Sequence, residues 1–404
     1  MKLWLGYGEG CLEFETPEDN CQVLLPSELP AADHQEIERA LANPFGQDLA
    51  DFSGCKSASV LVSDITRPSP SYLILPPLAK KLNELGICDI KIVFALGTHR
   101  RMTQKEEKQL LRDCIRMPHV QHDPQKCVYL GQTARNTPVE IFGEAAASDL
   151  IIATGNIEYH YYAGYSGGAK AILPGISSVQ SVNANHELMR DPGAVSGRLD
   201  SPVRQDFEDA AKLAGLDFIL NVVQNSKKEI VRAVAGDYLK AHRAGAVVVD
   251  EMYQKRVEPA DIVITCAGGM PKDLNLFQAQ KALDNAKEAA VPGGTIILVA
   301  QCSEGLGHPV FQRWAKEANC AQDCIDRFGR EYEFGGHKAA FLAKESMDHN
   351  IILVSALPMK MAEMCFFQPA ETLEEAVAIA HKRHGQDASM IIMPYGNLTL
   401  AVKH

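Results

Sequence analysis

What most limits the folds open to this chain is an alternation of short apolar, β-rich runs with segments of helical period. Strand-like runs fall at 58–62, 89–95 (DIKIVFA), 149–153, 261–266 (DIVITC), 295–300, 350–354 and 389–393. Helix-like segments fall between them. One at 72–85 is interrupted near its start by two prolines, and one at 103–112 has Thr103 placed as N-cap with Glu106 three residues on. Others lie at 206–213, 238–252 and 278–290, and at 372–384, where Thr372 and Glu375 predict a capping box. The runs 218–223 and 230–234 read as paired strands around a turn at 225–228, and the N-terminal MKLWLGYGEGCLEF reads as a first strand. Strands alternating with helices predict an α/β fold, with parallel sheets covered on both faces. A break near 254–260 predicts two α/β domains, a first over 1–256 and a second over 257–394, with an active-site cleft between them. The tail 395–404 would complete the first domain if it returns there.

A chain of 404 residues can bury well-formed cores, and 46% hydrophobic with 23% charged residues is the balance of a globular protein. The formal net charge of −11 disfavours nucleic acid, which basic surfaces bind, and argues against anionic membranes. No apolar run approaches the roughly 18–20 residues of a spanning helix. The N-terminus meets glycines and acids too early for a signal peptide, so the cytoplasm is the expected location. Eleven cysteines include no CxxC pair. Cys320 and Cys324 read as successive turns of one helix, while Cys88, Cys127, Cys266 and Cys302 read as small buried hydrophobes among reduced thiols.

Chemistry concentrates in loops that follow the strand-like runs. The richest is GNIEYHYYAGYSGGAKAILPGISSVQSVNANH, which follows the run at 150–153 and carries His160, Lys170 and His186. Five glycines between 155 and 175 imply close backbone approach or positive φ several times in one loop. SDITRP (63–68) supplies Asp64 and Arg67, GTHRR (97–101) supplies His99, and AGGMPKDLNLFQAQKA (267–282) supplies Gln278 and Lys281. In an open α/β sheet such loops share one edge, where these side chains can converge. Taken singly, each has a plainer reading: Asp-x-x-Arg as a surface ion pair, a lone histidine as a capped loop residue. GYSGGAK fails the P-loop spacing, and Ala171 follows the lysine. His119, His122, His381 and His384 have weaker claims. A zinc site on His160 and His186 would lack an HExxH pattern or a cysteine cluster.

Together, and in this order, SDITRP, GTHRR, the HxxAGYSGGAK segment, NANH and the Gln-x-x-Lys of the last loop resemble the LarA-type nickel-dependent 2-hydroxyacid racemases, over anchor segments from about 63 to 282. The resemblance implies a nickel-pincer nucleotide, a pyridinium-3-thioamide-5-thiocarboxylic acid mononucleotide carrying nickel. It implies Lys170 as its covalent anchor and His186 as the one protein ligand of nickel, imidazole being a suitable donor for that metal. Asp64, Arg67, Gly167 and Gly168 would contact the cofactor. His99 and His160 would be the catalytic acid/bases, and Arg67, Gln278 and Lys281 would hold the substrate.

The implied reaction is racemisation or epimerisation of a 2-hydroxyacid, by hydride transfer to and from the cofactor. Two bases on opposite sides of the substrate suit a reaction that must begin from either enantiomer. Asp64 has two readings, orienting a histidine or binding a ribose hydroxyl. Phe277 stands where the family pattern commonly has tyrosine, which weighs against lactate itself. Arg101 has two readings, favouring a larger or more acidic hydroxyacid or lying solvated on its loop. Two rivals remain: a divalent-metal hydrolase using the same histidines, and a non-enzymatic nickel- or nucleotide-binding protein. Expected partners are the small-molecule hydroxyacid and the enzymes that build the cofactor, with homo-oligomerisation left open.

Overall fold

The computed structural model describes residues 1–16, 20–67 and 69–404; Pro68 of the SDITRP segment lies outside the described residues. The chain is α/β and divides into two compact units, Glu28–Met252 and a discontinuous one made of Met1–Ser27 with Tyr253–His404.

In the Glu28–Met252 unit, Ser57–Ser63, Asp89–Ala95, His119–Gln121 and Leu150–Asn156 are parallel neighbours in a six-stranded sheet, which continues through Leu216–Gln224 to the antiparallel Ile230–Gly236. The central strands are almost fully buried, as near-continuous apolar runs covered on both faces must be. Ile74, Leu75, Leu78 and Leu82 of the Ser71–Glu84 helix pack into the same core. Pro76 and Pro77 sit inside that helix. Thr103 caps Gln104–Leu111 and Glu106 completes the reciprocal capping box.

In the other unit the sheet runs in the spatial order Gln368–Ala370, Asn350–Val354, Ala290–Val299, Ala260–Cys266, Met390–Met393, Cys21–Val23, all parallel. This corrects the expected partition at its ends. The hairpin Lys2–Tyr7 with Gly10–Glu15 buries Leu3, Leu5 and Phe14 in the core of the 253–404 sheet, and Cys21–Val23 adds its edge strand. Strand period fixes which face is apolar but not which sheet it covers. The tail Leu400–Lys403 pairs with Gln254–Val257 within this unit and does not complete the other.

Smaller differences have local causes. Ala290–Val299 begins five residues before the expected strand, because a register shift between Ala260 and Ile262 absorbs its Pro-Gly-Gly. Thr372 accepts from Glu375 N as expected, but the Glu375 carboxylate accepts from Glu371 N, one residue outside the predicted box. Residues 301–349 form three helices, Pro309–Glu317, Ala321–Arg330 and Gly336–Asp348, with Cys320 the N-cap of the helix that carries Cys324. All eleven cysteines are free; Cys266 and Cys302 are buried, but Cys88 is exposed in the turn before its strand and Cys127 is half-buried. No helix among the described residues is long and apolar enough to cross a membrane.

Candidate active site around the glycine loop

Three of the expected loops leave the C-terminal ends of adjacent parallel strands, Leu150–Asn156, Ser57–Ser63 and Asp89–Ala95, so side chains beyond those ends become neighbours. Asp64 is 3% exposed. Its Oδ1 accepts from Thr66 N at 2.9 Å and Thr66 Oγ1 at 2.5 Å, and its Oδ2 lies 2.5 Å from His99 Nδ1. Burial pushes this carboxyl up, but hydrogen bonds from His99 and Thr66 and the charges of His99 and Arg67 outweigh it and hold it below the usual range. Asp64 thus holds the His99 ring through its Oδ2. Gly97 N donates to Gly175 O at 2.8 Å, which ties the His99 loop to the far end of the glycine loop.

His160 stands on a two-residue ladder, Tyr159–His160 against Gly164–Tyr165. Its ring stacks on Tyr161 at 5.4 Å between centroids and meets the edge of Tyr162 at 4.4 Å. Tyr162, fully buried and therefore held protonated, has its hydroxyl 3.1 Å from His186 Nε2. His186 lies on Val179–Glu187, which Ser178 caps. Its neighbour Asn185 is fixed by donating to the buried Asp206 at 2.8 Å. Burial first, and then the positive charge of Lys170, push the His186 imidazole down to about 3. It is neutral at physiological pH, the protonation state a metal ligand needs. Lys170 sits in the short turn Gly168–Ala171 and is close enough for its charge to reach His186.

Sequence reasoning missed what holds the glycine loop. Arg204, fully buried on the Pro202–Ala214 helix, donates to Ala163 O and Gly167 O at 3.3 Å and also to Tyr165 O. His242 Nε2 donates to Ser166 O at 2.8 Å, and Asn221 Oδ1 accepts from Gly168 N at 2.8 Å. Asp250 accepts from the hydroxyls of Tyr159 and Tyr165 at 2.8 and 2.7 Å. Gly168 has φ +58°, and a Cβ there would come within 2.9 Å of the His242 ring, so a side chain is excluded twice over. The loop is thus a braced structure with His160 and Lys170 on it. Arg204→Met should take a donor from three carbonyls, of which Ala163 O keeps Tyr165 N and Gly167 O keeps Lys170 N, and destabilise the protein by about 1–3 kcal/mol in chemical denaturation.

Asp64, Arg67, His99, His160, Lys170, His186, Gly167 and Gly168 all belong to the Glu28–Met252 unit, whereas Gln278 and Lys281 belong to the other. Those two lie one turn apart near the start of Leu276–Ala286, where Asn275 accepts from Gln278 N at 3.1 Å. Among the described residues, no three or more His, Cys, Asp or Glu side chains gather in a way that could hold a metal ion. A hydrolase centre built on His99, His160 and His186 together is therefore not formed by these side chains.

The chain matches the lactate racemase N-terminal domain family over residues 7–197 and the lactate racemase C-terminal domain family over residues 255–400. It is 36% identical to a lactate racemase of Thermoanaerobacterium thermosaccharolyticum over 96% of both chains, and 33% identical to one of Lactiplantibacillus plantarum over 90% of both. Its fold is similar to the solved lactate racemase apoprotein of T. thermosaccharolyticum, with a TM-score of 0.93 and 35% identity over 99% of this chain and 100% of that one. A Thermotoga maritima protein shares the fold at a TM-score of 0.66 and 19% identity, over 93% of this chain and 100% of its own. With both domain families and full-length relatives in agreement, the chain belongs to the lactate racemase family and is an enzyme of the isomerase class.

Proposed function

We propose that this enzyme racemises or epimerises a 2-hydroxyacid with a nickel-pincer nucleotide anchored on Lys170. The observation that carries the reading is the pairing of Lys170, on the braced glycine loop, with the buried, neutral imidazole of His186. These residues fit such a group. His186 would be its protein ligand to nickel, and Lys170 is within electrostatic reach of that imidazole. Gly167 and Gly168, both at positive φ and packed against Asn221 and His242, set the backbone course of the turn that carries Lys170. One imidazole suffices as protein ligand where a cofactor brings the remaining donors. When bound, the cofactor supplies the hydride acceptor that no side chain here provides.

The chain's own residues hold the substrate and move protons. His99 takes the proton of the C2 hydroxyl of one enantiomer and His160 that of the other. The ionised Asp64, 2.5 Å from His99 Nδ1, fixes the orientation of that ring. Arg67, Gln278 and Lys281 bind the substrate carboxylate and its developing charge. The reading entails the enzymes that build the cofactor as partners, and the cytoplasm as location.

The test is mass spectrometry with metal analysis on protein co-expressed with cofactor-building enzymes. Nickel with a cofactor-sized covalent adduct is expected, and His186→Ala should lose most of the nickel while retaining the adduct. Zinc without an adduct in the parent protein, or full nickel occupancy in His186→Ala, would sink the assignment.

A further inference from the structure

We infer that the Leu276–Ala286 helix also contributes a subsite for the substrate's side chain, walled by Phe277 and Phe334, that selects 2-hydroxyacids bearing a bulky aromatic or apolar group over lactate. This rests on the racemase reading above and deepens it by naming the substrate class.

Phe334 is 47% exposed, yet its turn is firmly packed. Gly335, at φ +96°, lies so close to His308 that a Cβ would come within 2.2 Å of Nδ1, and one on Gly336 would come within 2.5 Å of the Trp314 indole. Glu333 accepts from Trp314 Nε1 at 3.0 Å and from Arg313. An aromatic on a loose loop can fold back onto the surface; this one is held out by glycines on one side and a buried indole on the other.

Its ring stands 6.2 Å from Phe277 and 5.3 Å, edge-on, from His308, which is itself 5.7 Å from Phe277. The amine of buried Lys338, which burial pushes down to about 7, lies 4.9 Å from the Phe277 ring centroid and packs against that ring. Two partly exposed rings and an imidazole edge therefore form a rigid, mainly apolar wall.

Position gives the wall its function. Phe277 immediately precedes Gln278 and lies four residues before Lys281, whose side chain is exposed. Helical neighbours at that spacing have Cβ atoms about 5–6 Å apart. A carboxylate held by Gln278 and Lys281 therefore leaves the substituent at C3 within reach of the Phe277 ring. A methyl group is too small to cover this wall, whereas a phenyl or branched alkyl group removes its apolar surface from water. Neither ring carries a hydroxyl to reward a polar substituent.

The test uses enzyme whose nickel and Lys170 adduct have first been verified by mass. kcat/KM for racemisation is measured with 3-phenyllactate, lactate and malate, for the parent and for Phe334→Ala and Phe334→Leu. At least about a tenfold preference for 3-phenyllactate over lactate is expected, the scale a hydrophobic pocket supplies. Phe334→Ala should lower that ratio about tenfold, chiefly through KM, and Phe334→Leu should recover part of it. Better use of lactate or malate than of 3-phenyllactate would overturn the subsite, as would an unchanged ratio in Phe334→Ala. A loaded enzyme that racemises none of the three would overturn the racemase reading, and the subsite with it.

Discussion

His99→Ala and His160→Ala are each expected to lower racemisation by at least about 10²-fold, the low end of what a positioned acid or base contributes. In the proposed mechanism a full racemisation uses both histidines, so neither variant should racemise well from either enantiomer. The two should nevertheless differ in isotope trapping of a single half-reaction, where each retains a preference for the opposite enantiomer. The asymmetry of their surroundings sharpens the expectation. His99 is paired with a buried carboxylate held ionised, while His160 is packed between the Tyr161 and Tyr162 rings. Asp64→Asn keeps the shape of the first pair and removes its charge. It should cost about 10–100-fold, as outer partners of functional histidines do. That loss should fall on the enantiomer served by His99 and leave the His160 half-reaction nearly intact. Indistinguishable residual behaviour of the two alanine variants would contradict the two-base arrangement.

The sequence went furthest where one local rule decided the outcome. The strand at Asp89–Ala95 and the Thr103–Glu106 capping box follow from apolar runs and side-chain chemistry a few residues apart. The glycine loop was legible as well, because glycines, a lysine and histidines in one segment have few structural uses. What braces the loop was not. Arg204 lies on a helix whose Val203, Phe207, Ala210 and Ala211 are buried, and a charge beside that apolar face was the available signal. Its acceptors, the carbonyls of Ala163, Tyr165 and Gly167, are about 40 residues away, beyond any periodicity. The same limit hid the contact of the Tyr162 hydroxyl with His186, 24 positions apart. It also misplaced Met1–Ser27, whose strands carry no mark of the sheet they join.

Lys170→Ala should abolish both the covalent cofactor mass and racemisation, with nearly unchanged folding. The lysine is half-buried in a loop whose fixed points are other side chains, Arg204, His242 and Asn221. Removing it also removes a positive charge near the buried His186, which relieves a repulsion when that ring is protonated and leaves the neutral ring undisturbed. The fold itself rests on two well-buried six-stranded sheets, unlike small domains that need metal in order to fold. Parent protein made without the cofactor-building enzymes should therefore melt cooperatively, at nearly the temperature of Lys170→Ala made in the same way. Both should leave a pure enantiomer unchanged, because the histidines alone move only protons and none of the named side chains accepts a hydride. Nickel salt alone should not rescue either protein, since a single buried imidazole is a poor site for a free ion. A covalent adduct retained in Lys170→Ala would move the anchor elsewhere. Racemisation by cofactor-free, nickel-free parent protein would replace hydride transfer with direct proton abstraction at C2.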